Sequence, residues 1–100
     1  MILKVKTWNG DKEGWLILGN VIDISYSDSV FEIDYDEISE MATLNDYCVF
    51  ERPKDGKAKC NIIYFSDEHG NGQRKIWFND ITYIMNDEGK TVERVYGFQP

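Results

Sequence analysis

Apolar and polar side chains alternate along most of this chain, and the alternation reads as strands. In residues 2–8, Leu3 and Val5 fall on one side and Lys4 and Lys6 on the other, the period of two expected of a half-buried strand. Residues 9–14 hold two glycines among polar residues and form a turn loop. Trp15-Leu16-Ile17-Leu18 is unbroken apolar sequence and reads as a buried strand, and Gly19-Asn20 permits a bend or bulge after it. Residues 21–26 resume the alternation, with Ile22, Ile24 and Tyr26 on one face. A polar turn at 27–29 leads to residues 30–35, which place Phe31, Ile33 and Tyr35 together.

The helical candidate is Asp36 to Leu44. Ile38, Met41 and Ala42 have helical spacing, and the acids of its first turn suit the helix dipole. It is short enough to depend on packing against a sheet, and a loop is the alternative. Residues 47–52 and 57–65 are expected to form a hairpin around Pro53-Lys54-Asp55-Gly56. A polar loop at 66–73 precedes further strands at 74–78, 81–85 and 91–96, and residues 97–100 are expected to be a loose tail. One internal echo recurs at an offset of 60: Leu18-Gly19-Asn20-Val21-Ile22-Asp23-Ile24 aligns with Phe78-Asn79-Asp80-Ile81-Thr82-Tyr83-Ile84. Two bent strands of this kind would help a sheet curl. The expected fold is mainly β, with at most one short helix. It is a small antiparallel barrel or a strongly twisted sheet of about seven or eight strands, in one domain over residues 1–96.

Composition supports a folded core, since 42% of residues are hydrophobic and 14% aromatic. No apolar run approaches the roughly 18 residues of a membrane span. The opening residues lack the basic start and apolar block of a secretory signal, and no Asn-x-Ser/Thr triplet occurs. These features lead us to expect a cytoplasmic protein without a membrane partner. The two cysteines, Cys48 and Cys60, flank the expected hairpin and read as reduced thiols that could lie near each other across it.

Charge changes the picture more than composition does. The net charge is −7, and residues 1–50 carry all of the excess. Asp23, Asp28, Glu32, Asp34, Asp36, Glu37, Glu40 and Asp46 follow one another with no Lys or Arg between them. Such a block repels long nucleic acid and anionic lipid and attracts basic surfaces. Candidate partner-binding residues are therefore Asp28, Glu32, Asp34, Asp36, Glu37 and Glu40. Trp8 joins them because it ends a strand beside a turn, on the Lys4 and Lys6 face.

The opposite charge concentrates at the expected hairpin tip, where Arg52, Lys54, Lys57 and Lys59 are four of the eleven basic residues. Tyr47, Phe50, Tyr64 and Phe65 lie on the same segments. Rings beside cations can hold a base and its phosphate. A second set of candidates, for a small nucleotide, is thus Arg52, Lys57, Lys59, Tyr64, Arg74, Lys75 and Arg94.

Catalysis has little to build on. His69 is the one histidine, so a nucleophile–base pair would require its loop to fold over Cys48, Cys60 or a serine. Asp67-Glu68-His69 reads as a solvated loop, the acids at 34–40 lack the pattern of a calcium loop, and His69-Gly70-Asn71-Gly72-Gln73 matches no phosphate fingerprint. No catalytic residue, metal site or cofactor is expected.

The segment Tyr83-Ile84-Met85-Asn86-Asp87-Glu88-Gly89-Lys90-Thr91-Val92-Glu93-Arg94-Val95 resembles the endings of uncharacterised small proteins of bacteriophages and prophages. The resemblance implies a viral accessory protein, acting in the host cytoplasm and blocking host or defence machinery by occupancy. It assigns no functional residue. The leading expectation is an acidic, non-catalytic binding module that docks a basic protein surface, as a phage-type inhibitor imitating the charge of nucleic acid. The alternatives are a sequestering protein for a small nucleotide or cyclic nucleotide signal, with homo-oligomers allowed, and a structural or virion component joined through sheet edges.

Overall fold

The computed structural model describes residues 1–9, 12–27, 29–37, 46–49, 54–70 and 72–98. Within them the chain forms β1 (Ile2–Asn9), β2 (Lys12–Leu18), β3 (Val21–Tyr26), β4 (Phe31–Asp34), β5 (Asp46–Cys48), β6 (Lys57–Asp67), β7 (Arg74–Phe78), β8 (Ile81–Met85) and β9 (Thr91–Tyr96). Residues 35–37 enter a helical turn, and the rest of the expected helix lies outside the described residues. The fold is mainly β, as the alternation requires, and the sheet does not close into a barrel. The strands form two sheets, ordered β2-β1-β8-β9 and β3-β6-β7-β5, with β4 also paired to β6.

The alternation in β1 sets the first sheet. Leu3 and Val5 are fully buried, and their neighbours across the ladders are Leu18 and Leu16 on β2 and Ile84 and Thr82 on β8. These side chains face Val21, Ile63, Phe65, Ile76 and Phe78 of the second sheet, and the two inner faces make one core. A second, smaller cluster sits on the far side of the second sheet. There Ala58 and Cys60 pack with Phe31, Ile33, Tyr35, Cys48 and Trp77, so the three alternating residues of the fourth segment do meet.

Among the described residues of the expected hairpin between 47–52 and 57–65, the two segments do not pair with each other. β5 runs parallel to β7, with Tyr47 opposite Ile76, and the first half of β6 pairs with β4 instead. The reason lies in β6 itself. Its edges are taken by other strands, while its two faces bury Ala58, Cys60 and Ile62 on one side and Ile63 and Phe65 on the other. β4 and β3 fill one edge in succession, and β7 fills the other. The expected burial of residues 15–18 is likewise corrected. β2 is an edge strand with one solvent-facing side, and Trp15 and Ile17 are exposed.

The echo at an offset of 60 marks two matching corners. At Gly19-Asn20 the chain leaves the first sheet for the second, and at Asn79-Asp80 it returns. Asn20 bends the first corner with a φ of 58°. The Asn20 carbonyl accepts a hydrogen bond from the Glu68 N–H, and the Asp80 carbonyl accepts one from the Gly97 N–H. Gly97 passes so close that a Cβ there would stand 2.8 Å from the Asn79 carbonyl carbon. Phe98 donates its N–H to Asn61 Oδ1 at 2.7 Å. Residues 97 and 98, expected to be loose, are therefore tied to the body. Asn61 in turn donates to the Ser29 carbonyl.

Candidate functional site

Because Leu3 and Val5 point into the core, Lys4 and Lys6 must point out of it. The registers of the first sheet then build a row across all four strands: Ile17 on β2, Lys4 on β1, Tyr83 on β8 and Arg94 on β9. Trp15 stands beside Lys6 in the next row. The rings of Trp15 and Tyr83 meet over β1 with centroids 5.7 Å apart and a tilt of 49°. Lys4 and Lys6 lie 4.7 and 4.9 Å from the Trp15 centroid, and Arg94 lies 5.8 Å from that of Tyr83. Cations at these distances are held by the negative face of the ring, and their stems cover apolar surface while the charge stays in water.

This outer face is exposed. Trp15 is 41% accessible, Ile17 62% and Tyr96 65%. A shallow groove of about 330 Å³ runs beside the rings, lined by Lys4, Trp15, Tyr83, Met85, Gly89 and Thr91. Lys6 donates to Glu13 at 2.8 Å. Glu93 turns away from this face and accepts a hydrogen bond from the Tyr26 hydroxyl on the other sheet. Asp87 and Glu88 lie in the turn that precedes Gly89.

The acidic candidates sit on the other sheet. Glu32 and Asp34 are exposed on β4, Asp36 and Glu37 follow in the helical turn, and Asp23 is exposed on β3. The β4–β6 ladder sets Glu32 opposite Lys59 and Asp34 opposite Lys57. Directly opposed side chains share a face at about 5 Å between Cβ atoms. The acidic block and the basic cluster, far apart in sequence, thus fold against each other and offset part of their charge. Asp28 and Glu40 lie outside the described residues, as does the Trp8 side chain; the Trp8 backbone pairs with Glu13.

Of the nucleotide candidates among the described residues, Tyr64 and Lys75 are brought together and the others are dispersed. Arg74 is built into the structure. Nη1 reaches Asp67 Oδ2 at 3.0 Å, Nη2 donates to the Tyr47 hydroxyl at 2.7 Å, and the guanidinium lies over the rings of Tyr47 and Phe65. Lys75 lies over Tyr64 on the second sheet, Lys57 and Lys59 face β4, and Arg94 belongs to the first sheet. Arg52 lies outside the described residues. Of this set only Arg94 falls in the row of rings and cations. Lys4 and Lys6 are signalled by the alternation at 2–8, whereas nothing in that alternation points to Trp15 or Tyr83. Recognising them required knowing which strands flank β1.

Asp67 is committed to Arg74 and His69 is exposed, so Asp67-Glu68-His69 does not converge on one point. Among the described residues no group of three side chains is placed to hold a metal ion. Burial pushes the Cys60 thiol up to about 12, with the neighbouring Cys48 adding to the shift, which is the opposite of what a nucleophilic thiolate needs. Cys48 and Cys60 share a cluster, but β7 runs between their strands. Two strand spacings, on the order of 9.5 Å, exceed the roughly 7 Å Cα separation that a disulfide spans. Among the described residues no helix is long and apolar enough to cross a membrane. No protein-family model, no curated protein and no solved structure matches the chain.

Proposed function

We propose that the protein is a non-catalytic binding module whose contact surface is the outer face of the four-stranded sheet. One observation carries this reading: Trp15 and Tyr83 touch in the open and carry Lys4, Lys6 and Arg94 against their rings. Exposed aromatic and guanidinium groups contribute disproportionately to binding surfaces. Lys4 and Arg94, with Lys6 held by Glu13, favour an anionic partner on a chain of net charge −7.

The test is a map of amide and indole NMR shifts on titration with two anionic probes, hexaglutamate and a single-stranded DNA tetranucleotide. Shifts confined to β1, β2, β8 and β9 with at least one probe support the reading. No shift with either contradicts it.

A second reading keeps the acidic side as the contact. It is favoured by the exposure of Asp23, Glu32, Asp34, Asp36 and Glu37 on one sheet and its helical turn. There the protein would dock a basic surface and block a host or defence protein, in line with the phage resemblance of residues 83–95. Affinity for that partner would fall steeply with salt. Reversal of Asp34, Asp36 and Glu37 to Lys without loss of affinity would remove this reading.

A further inference from the structure

We infer that the groove beside Trp15 is a site for a nucleoside phosphate, taken free or as one unit of a short single strand. This rests on the binding-module reading of the same face and names its ligand. At about 330 Å³ the groove is at the small end of ligand sites, which suits one planar base and its sugar better than a folded partner. Its lining includes two rings, Trp15 and Tyr83, and Met85, a polarisable residue type that packs well against a π-system. Every base offers a face for such stacking.

The cations for a phosphate stand against the same rings, Lys6 being already held by Glu13. Lys4 and Lys6 sit within 5 Å of the Trp15 centroid, and Arg94 is 5.8 Å from that of Tyr83. A ring and a phosphate are the two recognisable parts of a nucleotide, and this face offers rings and cations side by side. An acidic peptide would satisfy the cations and leave the rings unused. Gly89 and Thr91, the latter paired with Met85 across the β8–β9 ladder, complete the lining. A long polyanion is disfavoured, because the net charge of −7 would act along its whole length.

Calorimetric titration of the full chain tests this, using AMP, GMP, CMP, UMP, a DNA tetranucleotide, inorganic phosphate and hexaglutamate. The expected result is micromolar binding of a mononucleotide or of the tetranucleotide, at least tenfold tighter than phosphate alone. Trp15→Ala and Lys4→Glu should each weaken it at least tenfold. Trp15→Phe, which keeps a ring, should retain most of it and guards against misfolding of the alanine variant. Binding of mononucleotides identifies a free nucleotide as ligand. Binding of the tetranucleotide alone identifies a strand. Binding of hexaglutamate with no response to any nucleotide overturns the nucleotide assignment and leaves the contact face standing. No response to any probe overturns both.

Discussion

Trp15 and Tyr83 lie on strands that never pair with each other, yet their rings meet across β1, 5.7 Å apart. The contact bridges β2 and β8 on the side of the sheet that the core does not use. Its removal should therefore cost little stability. Trp15→Ala is expected to lower unfolding free energy by about 1–2 kcal/mol, from the lost aromatic pair and the part of the ring that is covered. Leu3→Ala, beneath it on the buried face, should cost about 2–5 kcal/mol. Urea unfolding of the two variants measures the difference. Equal losses would show that Trp15 is a structural residue.

Arg74 and Asp67 make the opposite case. Their side chains are 14% and 6% accessible and 3.0 Å apart, and the guanidinium is stacked on Tyr47 and Phe65. Asp67→Ala would leave a charge in the interior without its counterpart, at about 3–5 kcal/mol. Arg74→Lys should fail to restore the wild-type midpoint, because an ammonium cannot stack flat on two rings and reach Asp67 and Tyr47 together. Thermal unfolding of both variants provides the check.

Cys60 is expected to resist thiol reagents in the folded protein. Its pKa rises from 9.0 to about 12, through burial first and Cys48 second. The raised value means that the fold favours the protonated thiol. That stabilisation is fully present below pH 9 and is lost as the pH climbs from about 9 toward 12. Reaction with a disulfide reagent at pH 8 should be slow at Cys60 in native protein and fast in urea. Rapid native labelling of Cys60 would contradict this.

Much of the fold was legible because one face of each strand is buried. Leu3 and Val5 in, Lys4 and Lys6 out, follows from alternation alone. The matched corners at Asn20 and Asp80 were visible as an echo, since a chain that changes sheets needs an apolar anchor before and after a polar bend. Pairing was not legible. β5 is only three residues long, and its sequence does not encode a preference for β7 over β6. The edges of β6 are taken by β3, β4 and β7, and β5 pairs with β7. The candidate sites suffered from the same gap. Carboxylates at 32 and 34 look uncompensated until β4 meets Lys57 and Lys59. Lys4, Lys6 and Trp15 look unremarkable until β8 brings Tyr83 beside them.

Affinity for the partner recovered with the wild-type chain from cell extract is the most direct test of where the protein binds. It should be measured for wild type, for Trp15→Ala and for the combined Asp34→Lys, Asp36→Lys and Glu37→Lys variant. Contact through the four-stranded sheet predicts at least a tenfold loss with Trp15→Ala and little change with the triple reversal. Unchanged affinity in Trp15→Ala, with binding abolished by the triple reversal, would contradict it.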